Sequence, residues 1–90
     1  MKITMYYNQR AEGGAAVSEG WSLFAGKGNG VYGSHYPLDQ KEIELPEGWT
    51  IGKTICGETA IFDKEGIYVD ILGNRDSIVL LDGKGKMYKF

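Results

Sequence analysis

Cysteine, histidine and proline are nearly absent from this chain of 90 residues, which has one Cys, one His and two Pro. A single cysteine, Cys56, forms no disulfide within the chain, which indicates a reducing compartment, and we place the protein in the cytoplasm. One His and one Cys do not make a zinc ligand set, and neither residues 63–65 nor residues 82–84 have the spacing of an EF-hand loop. The sequence therefore predicts no metal and no cofactor.

Long apolar runs and a basic excess are also missing. No run approaches the ~20 apolar residues that cross a bilayer, and the N-terminus lacks the apolar region of a secretory signal. The formal net charge is −2, whereas proteins that bind nucleic acid nonspecifically are usually strongly basic. We therefore expect no membrane partner and no nonspecific nucleic-acid partner.

Residue types that act in catalysis are scarce. His35 and Cys56 would need direct contact and an orienting third group to form a nucleophilic pair. Cys56 follows Ile55 in an apolar context, where a free cysteine is usually a small buried side chain. Acid–base pairs of carboxylates do not stand out, since most acids lie in turns. We expect the protein not to be an enzyme.

Glycine is abundant, with 14 residues, which suits a chain that turns often and forms no long helix. In the second half, four runs rich in β-branched and aromatic residues are separated by turns that combine Asp or Asn with Gly. These runs are residues 58–62, 67–72, 77–81 and 87–90. They predict an antiparallel meander of four strands.

The first half contains shorter strand-like runs, at residues 3–7, 21–25, 31–36, 42–45 and 49–55. A helix over residues 37–45, capped by Ser34, is an alternative, but alternation over residues 41–45 and the following Pro46 favour a strand. The prediction is a single all-β domain over residues 1–90, either a small antiparallel barrel or a two-layer sandwich, ending in the four-strand meander.

A glycine-rich segment matches G-x-G-x-x-G at Gly28, Gly30 and Gly33. No helix follows it, so a dinucleotide-binding unit is excluded. Its backbone N–H groups could still hold an anionic, nucleotide-like ligand beside a lysine, with aromatic rings stacked on the flat part of the ligand. The predicted ligand-binding residues are Lys27, Gly28, Asn29, Gly30, Tyr32, Tyr36 and Trp21. A plain hairpin connection is the alternative.

Acidic residues are concentrated in residues 37–65, with seven acids against three lysines. Glu42, Glu44 and Glu47 are the predicted partner-binding residues, because an acidic band favours a basic target. A solvated face explains the same charges without any partner.

Eleven aromatic residues, six Tyr, two Trp and three Phe, suit a core or a binding surface. By default Trp21, Trp49, Phe24 and Phe62 belong to the core, and Tyr32 and Tyr36 are the preferred exposed candidates. Residues 19–23 and 47–51 both read Glu-Gly-Trp, then a hydroxyl residue, then an aliphatic residue. This repetition is too short to predict a repeat architecture.

Two functions remain open. The first is a non-enzymatic binding protein, for example a small inhibitor that occupies the surface of a partner protein. In general appearance the chain is similar to small inhibitors encoded by phages and mobile elements. The alternative is a protein that holds a small anionic ligand at the glycine-rich segment. Exposed strand edges favour a homodimer in either case, with residues 87–90 paired across a two-fold axis.

Overall fold

The computed structural model describes residues 1–10, 19–25, 29–30 and 33–90, and the side chains of residues 1–9, 19–25 and 37–90. All regular elements in these residues are β-strands. They are β1 (Lys2–Arg10), β2 (Gly20–Ser22), β3 (Asn29–Gly30), β4 (Gly33–Glu44), β5 (Thr50–Lys53), β6 (Thr59–Phe62), β7 (Tyr68–Asn74), β8 (Ser77–Leu81) and β9 (Met87–Lys89). The predicted all-β class is confirmed. Within the same residues there is no helix that could cross a membrane.

The first half of the chain forms a four-stranded antiparallel sheet with the order β2-β1-β4-β3. β1 and β4 pair from Lys2 opposite Glu44 to Arg10 opposite His35. The register shifts beside Tyr7, and Pro37 pairs with Asn8 just beyond this bulge. A proline in a strand is tolerated at such irregular positions. Residues 33–36 and 42–44 therefore belong to one long strand and not to two, and the helix alternative for residues 37–45 is wrong.

The second half forms a five-stranded antiparallel sheet in sequence order, β5-β6-β7-β8-β9. The predicted four-strand meander is confirmed as β6 to β9, and β5 adds one strand at its edge. The turns at residues 54–57, 63–66 and 82–85 share one geometry: the N–H of the fourth residue, always Gly, donates to the carbonyl of the first. Each of these glycines has a φ between 80° and 84°, a region that other residues rarely adopt.

The core lies between the two sheets and takes side chains from both. Its buried members are Met5, Tyr7, Trp21, Ile43, Leu45, Trp49, Ile61, Val69, Ile78 and Leu80. The two sheets meet at β2 and β7, where Trp21 Nε1 donates a hydrogen bond of 2.7 Å to the carbonyl of Asn74. The arrangement resembles a two-layer sandwich. Because the strands form two separate sheets, the closed-barrel alternative is wrong.

Side-chain burial corrects three expectations from the sequence. Trp21 and Trp49 are buried in the core, but the partly buried Phe62 lies on the other side of its strand from the core residue Ile61, and Phe24 is 62% exposed. Cys56 is exposed as well, in the turn that joins β5 to β6. It is therefore not a small core residue, because the apolar neighbours that suggested burial belong to the tip of a hairpin.

Candidate functional site

The predicted ligand site at the glycine-rich segment falls mainly outside the described residues. This applies to Lys27, Gly28 and Tyr32. Asn29 and Gly30 form β3, which pairs with the start of β4, the arrangement that the hairpin alternative predicts. The backbone of Tyr36 pairs with Gln9 in β1. A ligand at this segment stays a prediction.

Trp21, the remaining member of that predicted site, lies in the core with 9% of its surface exposed. Its ring meets the ring of Tyr7 edge to face, with 5.4 Å between the centroids, and its N–H is bound to Asn74. Tyr7 in turn donates to the carboxylate of Glu19, and this hydrogen bond raises the Tyr7 pKa. The Trp21 side chain thus links the two sheets through its hydrogen bond and is almost fully enclosed by protein atoms.

The three predicted partner-binding acids are divided between two places. Glu42 and Glu44 are exposed on the same side of β4. The N-terminal ammonium of Met1 pairs with Glu44, and Lys2 Nζ lies 3.9 Å from Glu42. Glu47 lies in the turn after β4. Cations therefore balance part of the charge on β4, and a partner role for these acids stays a prediction.

Glu47 instead lines a cleft of about 390 Å³ at the end of the five-stranded sheet. The cleft is bounded by Pro46, Glu47, Trp49, Asp63, Lys64, Glu65, Asp82, Lys84, Lys86 and Tyr88. Three turns that are separated in sequence form its walls. A salt bridge of 2.8 Å between Lys84 Nζ and Glu65 Oε1 joins two of these turns and raises the pKa of Lys84.

Two carboxylates of the cleft are committed to holding the turns. The buried Asp63 accepts hydrogen bonds from the backbone N–H groups of Ile67 at 3.0 Å and Glu65 at 2.8 Å. These bonds, the Ile67 bond first, lower the Asp63 pKa. Asp82 accepts bonds from Lys86 N and Lys84 N, both at 2.9 Å, which lower its pKa in the same way. Both carboxylates therefore stay charged at neutral pH and hold the backbone of their turns.

Aromatic rings form the inner wall of the cleft. The Tyr88 ring meets Trp49 edge to face at 4.9 Å, and the Nζ atom of Lys86 lies 5.0 Å from the Tyr88 centroid. Neither Lys64 nor Lys86 forms an ion pair with the part of the chain that the structure describes. These two lysines and the exposed Glu47 are the charges that a ligand in the cleft would meet.

A second surface is the side of the five-stranded sheet that faces away from the core, here called the outer face. Its apolar members are Phe62, Tyr68, Leu72, Val79, Leu81 and Met87. Tyr68 is 50% exposed, Leu72 43% and Met87 60%. A sheet with one face on the core normally presents alternating polar side chains on its other face. Here both faces of β7, β8 and β9 are largely apolar.

Two charges interrupt this apolar surface. Asp70 lies between Tyr68 and Leu72 on β7, and Lys89 lies two residues beyond Met87 on β9. Both side chains are exposed, and neither forms an ion pair with the described residues. The signal for this surface was present in the sequence as strands with apolar residues at both odd and even positions, such as residues 78–81, but such a run does not reveal whether a second layer covers each face.

In the described residues, no three His, Cys, Asp or Glu side chains lie together in a way that could hold a metal ion. The exposed thiol of Cys56 lies in a hairpin turn, and the side chain of His35 lies outside the described part. The arrangement offers contact surface and a cleft. No protein family, curated protein or solved structure matches this chain.

Proposed function

We propose that this protein is a non-enzymatic binding protein that occupies the surface of another protein with its outer face. One observation carries the proposal: Tyr68, Leu72 and Met87 are 50%, 43% and 60% exposed on one face of a sheet whose other face already packs on the core. Contiguous exposed apolar patches on small domains often mark interaction sites. Tyrosine and methionine are also enriched where proteins meet.

The first experiment uses wild type, Leu72→Lys and Ile55→Lys to capture partner proteins from a lysate of the native cell. It compares how much partner each of the three proteins recovers. Ile55 is fully exposed at the tip of the β5–β6 hairpin, away from β7, β8 and β9, so it receives the same chemical change outside the outer face. We expect wild type and Ile55→Lys to retain a partner that Leu72→Lys loses. Equal recovery by all three proteins would overturn the proposal.

The second candidate is a small-ligand binder, now at the cleft. Lys64 and Lys86, without ion pairs in the described part of the chain, line a space of about 390 Å³ beside an aromatic wall, and ligand pockets of a few hundred Å³ are common. Native mass spectrometry of the untagged protein would detect a retained compound. We expect Lys64→Gln combined with Lys86→Gln to abolish retention and Lys41→Gln, an exposed lysine on β4, to preserve it. A bare protein, or retention by the double variant, counts against this function.

A further inference from the structure

We propose that the protein covering the outer face is a second copy of this chain, related to the first by a two-fold axis. This inference rests on the proposed function and names its partner. Its starting point is the pair of opposite charges, Asp70 and Lys89, that lie within an otherwise apolar surface and have no ion pair in the described residues. A charge that becomes buried in an interface needs a charge of opposite sign beside it.

The register of the strands fixes where these charges lie. Outward-facing side chains form two rows across β7, β8 and β9: Asp70, Leu81 and Met87 in one, and Leu72, Val79 and Lys89 in the other. Asp70 and Lys89 are therefore diagonal corners of this grid, about 10 Å apart across the strands and about 7 Å along them. Apolar side chains fill the space between the two charges.

A two-fold axis converts this diagonal into two ion pairs. The axis lies midway between the two facing sheets, runs parallel to them, and crosses the line from Asp70 to Lys89 at right angles at its midpoint. The two-fold rotation then places Asp70 of each copy over Lys89 of the other. In a two-fold interface every such contact occurs twice. The face is thus complementary in charge to itself.

The same axis places apolar side chains against their own counterparts. Leu72 and Met87 occupy the other two corners of the grid, which lie close to the axis, so each meets its copy in the second chain. Val79 and Leu81 lie at the centre. On a flat sheet this arrangement crosses the strands of the two copies at about 70°, nearer to the orthogonal than to the aligned class of sheet packing.

The size of the face sets the expected strength. Five strands at about 4.8 Å spacing and five residues at about 3.4 Å give a footprint on the order of 350 Å². Standard interfaces bury about 800 Å² of accessible surface per partner. We therefore expect a dimer that dissociates on dilution, and not an obligate one.

The test uses sedimentation velocity over a dilution series with the full chain and two single variants, Asp70→Lys and Lys89→Asp. Each variant alone places two pairs of like charges in the interface, so its dimer should weaken about tenfold or more. An equimolar mixture of the two variants restores both pairs in a heterodimer. We expect wild type and the mixture to dimerise over the same concentration range, with either variant alone shifted to higher concentration.

Three results would overturn the inference: wild type that stays monomeric at every concentration, single variants that dimerise like wild type, or a mixture no better than its components. Far-UV circular dichroism of both variants checks their fold. Dimerisation that is restored in the mixture also shows that the variants are folded, because misfolded chains would not regain it. A monomeric wild type that still captures a lysate partner, lost in Leu72→Lys, would leave the proposed function standing and remove only the second copy as its partner.

Discussion

Asp63, in the turn between β6 and β7, accepts a hydrogen bond of 3.2 Å through its Oδ2 atom from the backbone N–H of Gly83 in the turn between β8 and β9. Its Oδ1 atom meanwhile serves its own turn, through Glu65 and Ile67. One carboxylate thus holds two hairpins together at the end of the sheet that carries the cleft. A buried carboxylate with this many donors stabilises a fold most while it is charged.

We predict that Asp63→Asn lowers the midpoint of thermal unfolding at neutral pH. The amide keeps one oxygen for the local turn but presents an N–H group to Gly83, so a donor faces a donor. Asp76→Asn is the control, because Asp76 is exposed and its carboxylate accepts no hydrogen bond from the described residues. Equal midpoints for the two variants in differential scanning calorimetry would contradict the prediction.

Acid should remove the advantage of the wild type over Asp63→Asn. Hydrogen bonds from Ile67 and its neighbours hold the Asp63 pKa below its usual value. A carboxylate with a lowered pKa stabilises the fold fully above the unfolded pKa of about 3.9 and loses that contribution as pH falls towards the folded pKa. The two unfolding midpoints should therefore converge below about pH 4. A constant difference from neutral to acidic pH would show that the charge of Asp63 is irrelevant.

Trp21→Phe should cost more stability than Trp49→Phe. Both changes shrink a buried indole ring, but only Trp21 donates a hydrogen bond to a described residue, across the two sheets to Asn74. Losing that bond adds about 1 kcal/mol to the loss of free energy of unfolding. Urea unfolding curves of the two variants, followed by far-UV circular dichroism, give the difference. The reverse order would mean that the bond between the sheets contributes nothing.

The variants Gly73→Ala and Gly85→Ala separate the energetic cost of a positive φ from the cost of a steric clash. Both glycines have positive φ, 104° and 84°. A Cβ atom at Gly85 meets no other atom, but at Gly73 it would lie 2.3 Å from the carbonyl oxygen of Ser77, which is backbone in the paired strand. We expect Gly85→Ala to cost about 1–2 kcal/mol and Gly73→Ala about 3 kcal/mol or more. Similar unfolding free energies in urea would contradict the clash.

Local turn chemistry made the second half of the fold predictable. Asp63 and Asp82 each begin a turn that ends in glycine, so strand ends and pairing order follow from nearby residues. The sequence predicted two strands, over residues 31–36 and 42–45, where the structure has the one long strand β4. Pro37 lies within this strand, just beyond a bulge in its pairing with β1, and no local pattern shows such a distant pairing.

The functional surfaces were less predictable for a related reason. The walls of the cleft come from turns that begin at Pro46, Asp63 and Asp82, which become neighbours only when the sheet has formed. Glu42, Glu44 and Glu47 were grouped because they are close in sequence. A strand ends between them, so their side chains reach different surfaces. Burial of Trp21 and Trp49 followed from size and apolarity, whereas Phe24 shows that the same argument fails in a loop.

Paired strands are close in sequence throughout the five-stranded sheet, whereas the four-stranded sheet pairs two distant strands, and this difference affects the order of folding. Neighbouring strands from β5 to β9 are joined by short turns, whereas β1 and β4 pair residues separated by up to nearly half the chain. Closing a long loop costs more entropy before any contact forms, and such pairings fold slowly. We expect the meander to nucleate folding and β1 to add to β4 after the rate-limiting barrier. Substitutions in β7 and β8 should then slow folding, and those in β1 should mainly accelerate unfolding.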